Sequence, residues 1–146
     1  GQGGSNAEAN AALQRLQAAA AAEGHDLPLL SVYRSFDEQV VLFNRYVRKD
    51  GLELAIRYSA PPGQSEHQTG LCFDVASLYR TFATTEAGIW LDEHCAEYGF
   101  IIRYPENSES ITGYMYEPWH IRYVGEETAK KIMSEGITLE EYLGVA

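Results

Sequence analysis

The sequence predicts an α+β fold in one domain spanning residues 1–146. Two observations carry this. Segments with helical apolar spacing are mixed with short runs of strand character, and no regular βαβ rhythm orders them. The chain has 146 residues, 45% of them apolar and 22% charged, which suits a single soluble domain with a substantial core.

The elements follow in order. Residues 1–5 read as a linker end or a cloning remnant, and a targeting segment ahead of them is expected to have been removed. Residues 6–23 are alanine-rich, place Leu13 and Leu16 on one face and stop at Gly24, so they predict a helix. "LPLLSVYRS" has the short apolar, β-branched look of a strand. "FDEQVVLFNRYVRKDG" carries apolar residues at Val40, Val41, Phe43, Tyr46 and Val47, an amphipathic helix ending at Gly51 and capped by Ser35 or Asp37. "LELAIRYSA" predicts one more short helix. "PPGQSEHQTG" is loop, with two prolines and two glycines. "LCFDVAS" reads as a buried strand. "GIWLDEHCAEYGF" predicts a helix with Ile89, Leu91, Cys95 and Tyr98 turned inward and Gly99 as its stop. "IIRY" is a short strand closed by Pro105, and "ENSESITG" a polar loop. "WHIRYV" is the last strand, and "GEETAKKIMSEG" a closing helix with acidic residues in its first turn.

Charge and composition narrow the function. With 21 acidic against 11 basic residues the net charge is −10, which argues against a nucleic-acid partner. No apolar run approaches the ~20 residues that span a bilayer. Two cysteines, Cys72 and Cys95, are too few for a disulfide scaffold or a structural zinc site; they are either buried thiols or one bridge.

Two stretches carry chemistry. In "SEHQTGLCFD", His67 closes the loop and Asp74 sits inside the next strand between Phe73 and Val75. A carboxylate there needs a partner, and a metal ion or an arginine would serve. In "EPWHIRY", Pro118 excludes a helix interior. Glu117 and His120 are three apart, so an unbroken strand would point them to opposite faces. Both can serve one site only if the chain turns near Pro118. Taken singly, each stretch has an ordinary reading: a core aspartate paired to an arginine, a surface glutamate, a core histidine. Together, two histidines and an aspartate make three ligands and leave the fourth zinc position for water, with Glu117 beside it as a general base. His25 follows a helix in a loop and His94 lies on a helix face, so neither sits in a comparable setting.

With these motifs in view, the chain resembles the bacterial zinc D-alanyl-D-alanine carboxypeptidases, the VanY-type D,D-carboxypeptidases and the related L,D-carboxypeptidases, whose fold is shared with hedgehog signalling domains. The resemblance rests on Ser65, His67, Gly70, Cys72 and Asp74, then Glu117, Trp119 and His120. "YRS" at Tyr33–Ser35, "DEQ" ending at Gln39 and "YGFIIRYP" at Tyr98–Pro105 extend it from the first helix to Gly125. Cys72 stands where the family commonly has alanine. Strand alternation puts it on Asp74's side, and a packing role is expected because three ligands are already present.

The resemblance implies a central, mainly antiparallel sheet flanked by helices. It implies that His67, Asp74 and His120 bind Zn2+ and that Glu117 is the catalytic base. It places Arg34, Gln39, Ser65 and Tyr104 at the end of the pocket that takes the substrate carboxylate. Arg34 is either the carboxylate clamp or the stabiliser of the oxyanion, and Trp119 is either pocket wall or core. The implied reaction is hydrolysis of the C-terminal D-alanine from peptidoglycan stem peptides, without a nucleotide or organic cofactor. "SEHQTG" and "EPWHIRYVG" look closer to the L,D-type. An extracytoplasmic, monomeric protein is expected. The alternatives are a peptidoglycan endopeptidase of the same fold and a non-catalytic, zinc-stabilised cell-wall binding module.

Overall fold

A computed structural model describes residues 6–31 and 70–145, together with residues 40, 41, 44, 45, 47–49 and 51 between them. The chain opens with a helix, Asn6–Ala22. Ala9, Ala12, Leu13, Leu16 and Ala20 are buried, a spacing of three and four that makes one stripe. Gly24, at φ +85°, ends the helix in the left-handed conformation that glycine adopts without a Cβ penalty. The Gln17 side chain then donates to the carbonyl of Leu27 (2.9 Å) and holds the returning chain. The described residues between 40 and 49 are helical, and Gly51 N–H closes on Val47 O at 2.8 Å.

Four short strands form one sheet: β1 Leu29–Ser31, β2 Cys72–Val75, β3 Phe100–Ile102 and β4 His120–Tyr123. Their order is β1-β2-β4-β3, and every pairing is antiparallel. The antiparallel sheet flanked by helices is the architecture expected from the sequence, and the α+β class holds.

Register decides what each face carries, because directly paired residues share a side. Phe73 pairs with Ile121, and Ile121 with Ile102; Phe100 pairs with Tyr123. This face packs with Leu13, Leu16, Trp90 and Leu91 into the main core. On the other face Asp74 pairs with His120, Cys72 with Arg122, and Arg122 with Ile101. Ile101 belongs to a second cluster with Val124, Ala129, Ile132 and Leu139, so the carboxy-terminal helices cover that end of the face.

The helix Glu86–His94 starts where the Thr85 hydroxyl accepts from Gly88 N–H (3.0 Å), and it continues into a 3-10 turn, Cys95–Tyr98. Gly99 stops it at φ +91°, and a Cβ there would stand 2.6 Å from Tyr123 Cε1. Leu91 and Cys95 face inward as expected. Ile89 does not: it is 48% exposed, and Trp90 takes the inward place, because the indole is the larger apolar group and its N–H reaches Glu23. Tyr98 is half-buried against the core.

Several further expectations are corrected. "IIRY" begins one residue earlier as strand and ends at Ile102. The loop "ENSESITG" contains a short helix, Glu109–Thr112, closed by Gly113 at φ +84°. Beyond the helix Glu126–Glu135, a last helix, Leu139–Leu143, starts in a capping box between Thr138 and Glu141. Of the two readings left open for Cys72 and Cys95, the structure bears out buried thiols, with no disulfide between them. The sheet separates them: Cys72 lies on the Asp74 face and Cys95 in the main core. Burial, then the nearby Asp92, pushes the Cys95 thiol far above its usual range, so it is inert at neutral pH. The expected linker at residues 1–5 and the short helix at residues 52–60 lie outside the described residues.

Candidate metal centre

Asp74 and His120 meet because β2 and β4 pair in one register. They are direct cross-strand partners, 5% and 4% exposed, and His120 Nδ1 lies 3.0 Å from Asp74 Oδ1. The ends of both strands are tied at this point. Val75 N–H donates to Trp119 O (3.1 Å), and Ala76 N–H to Pro28 O (2.8 Å). Ala76 sits at φ +68°, a left-handed conformation uncommon for a residue with a Cβ, and it turns the chain sharply two residues beyond Asp74.

Glu117 reaches the same place through the turn that the sequence required. Residues 118 and 119 form a turn, and His120 N–H closes on Glu117 O at 3.2 Å. Glu117 N–H donates to Tyr104 O (3.0 Å), which anchors the start of that turn beyond the end of β3. Glu117 Oε1 lies 3.7 Å from His120 Nδ1. That is too long for a hydrogen bond but close enough for the carboxylate to act on the same small volume. The three-residue offset therefore no longer separates the two side chains.

Tyr104 is buried beside them, its ring 5.0 Å from that of His120 with 25° between the planes, and 4.7 Å from Tyr114. Trp119 is half-buried and packs against the main core. His25 and His94 belong elsewhere: both rings contact Trp90, and His94 pairs with Glu97. The expected ligand His67 and the expected pocket residues Arg34, Gln39 and Ser65 lie outside the described residues.

The donor set fits a divalent cation of zinc's type. A nitrogen and an oxygen each at ordinary bond length from one tetrahedral ion stand ~3.3 Å apart, and Asp74 and His120 present such a pair at 3.0 Å from adjacent strands. Among the described residues no three His, Cys, Asp or Glu side chains could hold a metal ion by themselves.

One pair was not anticipated. Arg103, 8% exposed, forks onto Glu140 of the last helix through Nη1–Oε1 (2.8 Å) and Nη2–Oε2 (2.9 Å). An arginine inside "FIIRY" signals that a carboxylate must meet it. Nothing in the spacing says that the carboxylate is 37 residues away.

The chain matches the model of the VanY D-alanyl-D-alanine carboxypeptidase family over residues 4–126. A D-alanyl-D-alanine carboxypeptidase of Enterococcus faecalis is 39% identical over 140 residues, which cover 90% of this chain and 52% of that protein. The solved LdcB LD-carboxypeptidase is 46% identical with a TM-score of 0.87, over 95% of this chain and 68% of that one. A variant of the vancomycin resistance D,D-pentapeptidase VanY from a VanB-type cassette, solved in complex with Zn(II), is 39% identical with a TM-score of 0.83, over 92% of this chain and 81% of that one. The chain spans about half the length of the curated relatives it matches.

Proposed function

The chain belongs to the VanY D-alanyl-D-alanine carboxypeptidase family, and from that premise we propose that it is a zinc-dependent carboxypeptidase that removes the terminal D-alanine from peptidoglycan stem peptides. The observation that carries the reading is the Asp74–His120 pair at 3.0 Å, with Glu117 turned to within 3.7 Å of the same imidazole. Asp74 and His120 are buried and Glu117 is nearly so, which favours a preorganised site.

In this reading His67, Asp74 and His120 hold the ion, and Glu117 stays off it. When bound there, zinc would supply Lewis acidity, lowering the pKa of water toward neutrality. Glu117 accepts the proton that the attacking water gives up as its oxygen bonds to the scissile carbonyl carbon. It returns that proton to the amine of D-alanine as the C–N bond breaks. Arg34, Gln39 and Ser65 recognise the free carboxylate, a task that suits a two-pronged guanidinium. Tyr104 lines that end, and the exposed part of Trp119 forms a wall. The 46% identity to the LdcB LD-carboxypeptidase, against 39% to the D,D-pentapeptidase VanY, supports tetrapeptide stems as the substrate. Among the described residues no helix is long and apolar enough to cross a membrane. Such stems lie in the cell envelope, which is where we place the activity.

The test is mass spectrometry of defined tetra- and pentapeptide stems after incubation with the protein, with and without chelator. Loss of a single D-alanine, abolished by chelator and restored by Zn2+, supports the proposal. An internal cut assigns an endopeptidase instead, and zinc binding without any cut assigns a binding module.

A further inference from the structure

We propose that Glu140 is a positioning residue for the metal centre, acting from the last helix through Arg103 and Tyr104 on the His120 ring. The inference rests on reading Asp74 and His120 as metal ligands. Its physical basis is a continuous set of contacts. The Glu140 carboxylate takes both terminal nitrogens of Arg103, at 2.8 and 2.9 Å, and a two-pronged pair fixes the plane of a guanidinium as well as its place. Arg103 Cζ stands 5.0 Å from the centre of the Tyr104 ring, within range for attraction between a cation and an aromatic face. The Tyr104 ring stacks on His120 at 5.0 Å, and so sets the tilt of the imidazole that faces Asp74. The backbone makes the same link, since Arg103 N–H donates to His120 O at 3.1 Å.

The last helix is held firmly enough to do this. Thr138 and Glu141 close its first turn with reciprocal hydrogen bonds of 3.0 and 2.9 Å. Leu139 is 7% exposed and packs in one cluster with Ile101, whose cross-strand partner Arg122 also pairs with Cys72 of β2. The match to the family model ends at residue 126, so Glu140 lies beyond it. A segment beyond the family-model match thus reaches the candidate centre through two buried side chains. Groups that orient a metal-bound histidine set its donor direction, and losing one typically weakens metal affinity or activity by about 10–100-fold.

The experiment compares Glu140→Ala, Tyr104→Leu and their double variant with Tyr142→Ala, an exposed residue of the same helix. Zinc affinity is read by chelator competition. The position of the ring is read from the NMR shifts of the His120 ring protons in metal-free protein, which lie in the ring current of Tyr104. Glu140→Ala should displace those resonances and weaken zinc binding about tenfold. Tyr142→Ala should change neither. The double variant should bind zinc no more weakly than Tyr104→Leu alone, because both substitutions break one chain of contacts. Should Glu140→Ala fail to fold, Arg103→Lys keeps the charge, loses the fork and is read the same way. If either variant lowers the melting temperature but leaves the His120 resonances and the zinc affinity at parent values, the pair is only a staple and the proposal is overturned. Neither readout uses substrate: a parent protein that binds zinc but cleaves no stem peptide defeats the carboxypeptidase reading and leaves this result standing.

Discussion

The two faces of the β2–β4 pair are built from alternate residues of the same eight-residue ladder, yet they have opposite tasks. One face sends Phe73, Val75, Ile121 and Tyr123 into the main core. The other presents Cys72, Asp74, His120 and Arg122. A slip of one residue would exchange the faces, turning Asp74 and Arg122 into the main core and Phe73 out of it. The apolar face therefore sets the register, and the register delivers Asp74 opposite His120. In this protein the placement of Asp74 and His120 is a consequence of the core: their face inherits its geometry from the register.

The hardest test of that division is a substitution that should silence the chemistry and leave the fold alone. Glu117→Gln keeps the shape of the side chain and removes its basicity. Turnover of stem peptide should fall by about 10²–10⁴-fold, while zinc affinity and the urea midpoint stay at parent values. Turnover near the parent value removes Glu117 as the base. A large loss of stability breaks the division itself, since Glu117 would then be holding the turn at Pro118.

Next in size is a contrast between neighbours in one strand. Phe73→Ala should destabilise the chain by about 3–5 kcal/mol through the cavity it leaves, as read by urea denaturation in the presence of chelator. Asp74→Asn, one residue on, keeps a hydrogen-bonding group of the same size and should stay within about 1.5 kcal/mol of the parent. It should, however, lose tight zinc binding in a chelator competition. Equal losses of stability would mean that the Asp74–His120 pair is a structural element as much as the core is.

The same division explains what the sequence disclosed. Elements with strong local signals were legible: the alanine-rich first helix, the buried run "LCFDVAS" around Asp74, and the Gly24 and Gly99 stops. The requirement for a turn at Pro118 was legible as well, because strand parity forbids Glu117 and His120 from sharing a face otherwise. Resemblance then supplied what parity cannot, the identity of the partners. The misses are places where the deciding contact is remote. Ile89 and Trp90 compete for one inward position, and Glu23 settles it by accepting the indole N–H from 67 residues away. The short helices Glu109–Thr112 and Leu139–Leu143 carry too few residues for a periodic signal. The fork between Arg103 and Glu140 joins two elements whose proximity only the second cluster around Ile101 creates.

The smallest expected effect concerns a carboxylate on neither face of the ladder. Asp92 lies on the helix Glu86–His94, and burial, reinforced by Glu93, raises its pKa above the ordinary 3.8. Asp74 sits directly against an imidazole; Asp92 has the charge of a neighbouring glutamate to contend with. A raised carboxyl pKa means that the folded chain binds more protons than the unfolded chain above pH 3.8. Stability contributed by the protonated form is then lost as pH rises through the folded-state value, and the penalty is complete at neutrality. Asp92→Asn removes it. Because the side chain is half exposed, screening limits the gain at pH 7 to about 0.5 kcal/mol or less, and the gain should vanish when urea midpoints are compared below pH ~3.8. A second readout is independent of folding. Burial first, then Asp92 and Glu106, hold the Tyr116 phenol above its ordinary 10.0, so Asp92→Asn should move its spectrophotometric titration downward. A variant that is less stable at pH 7 would show that the Asp92 carboxylate is engaged in the fold, and the contrast with Asp74 would then lie in the depth of their burial and in their partners.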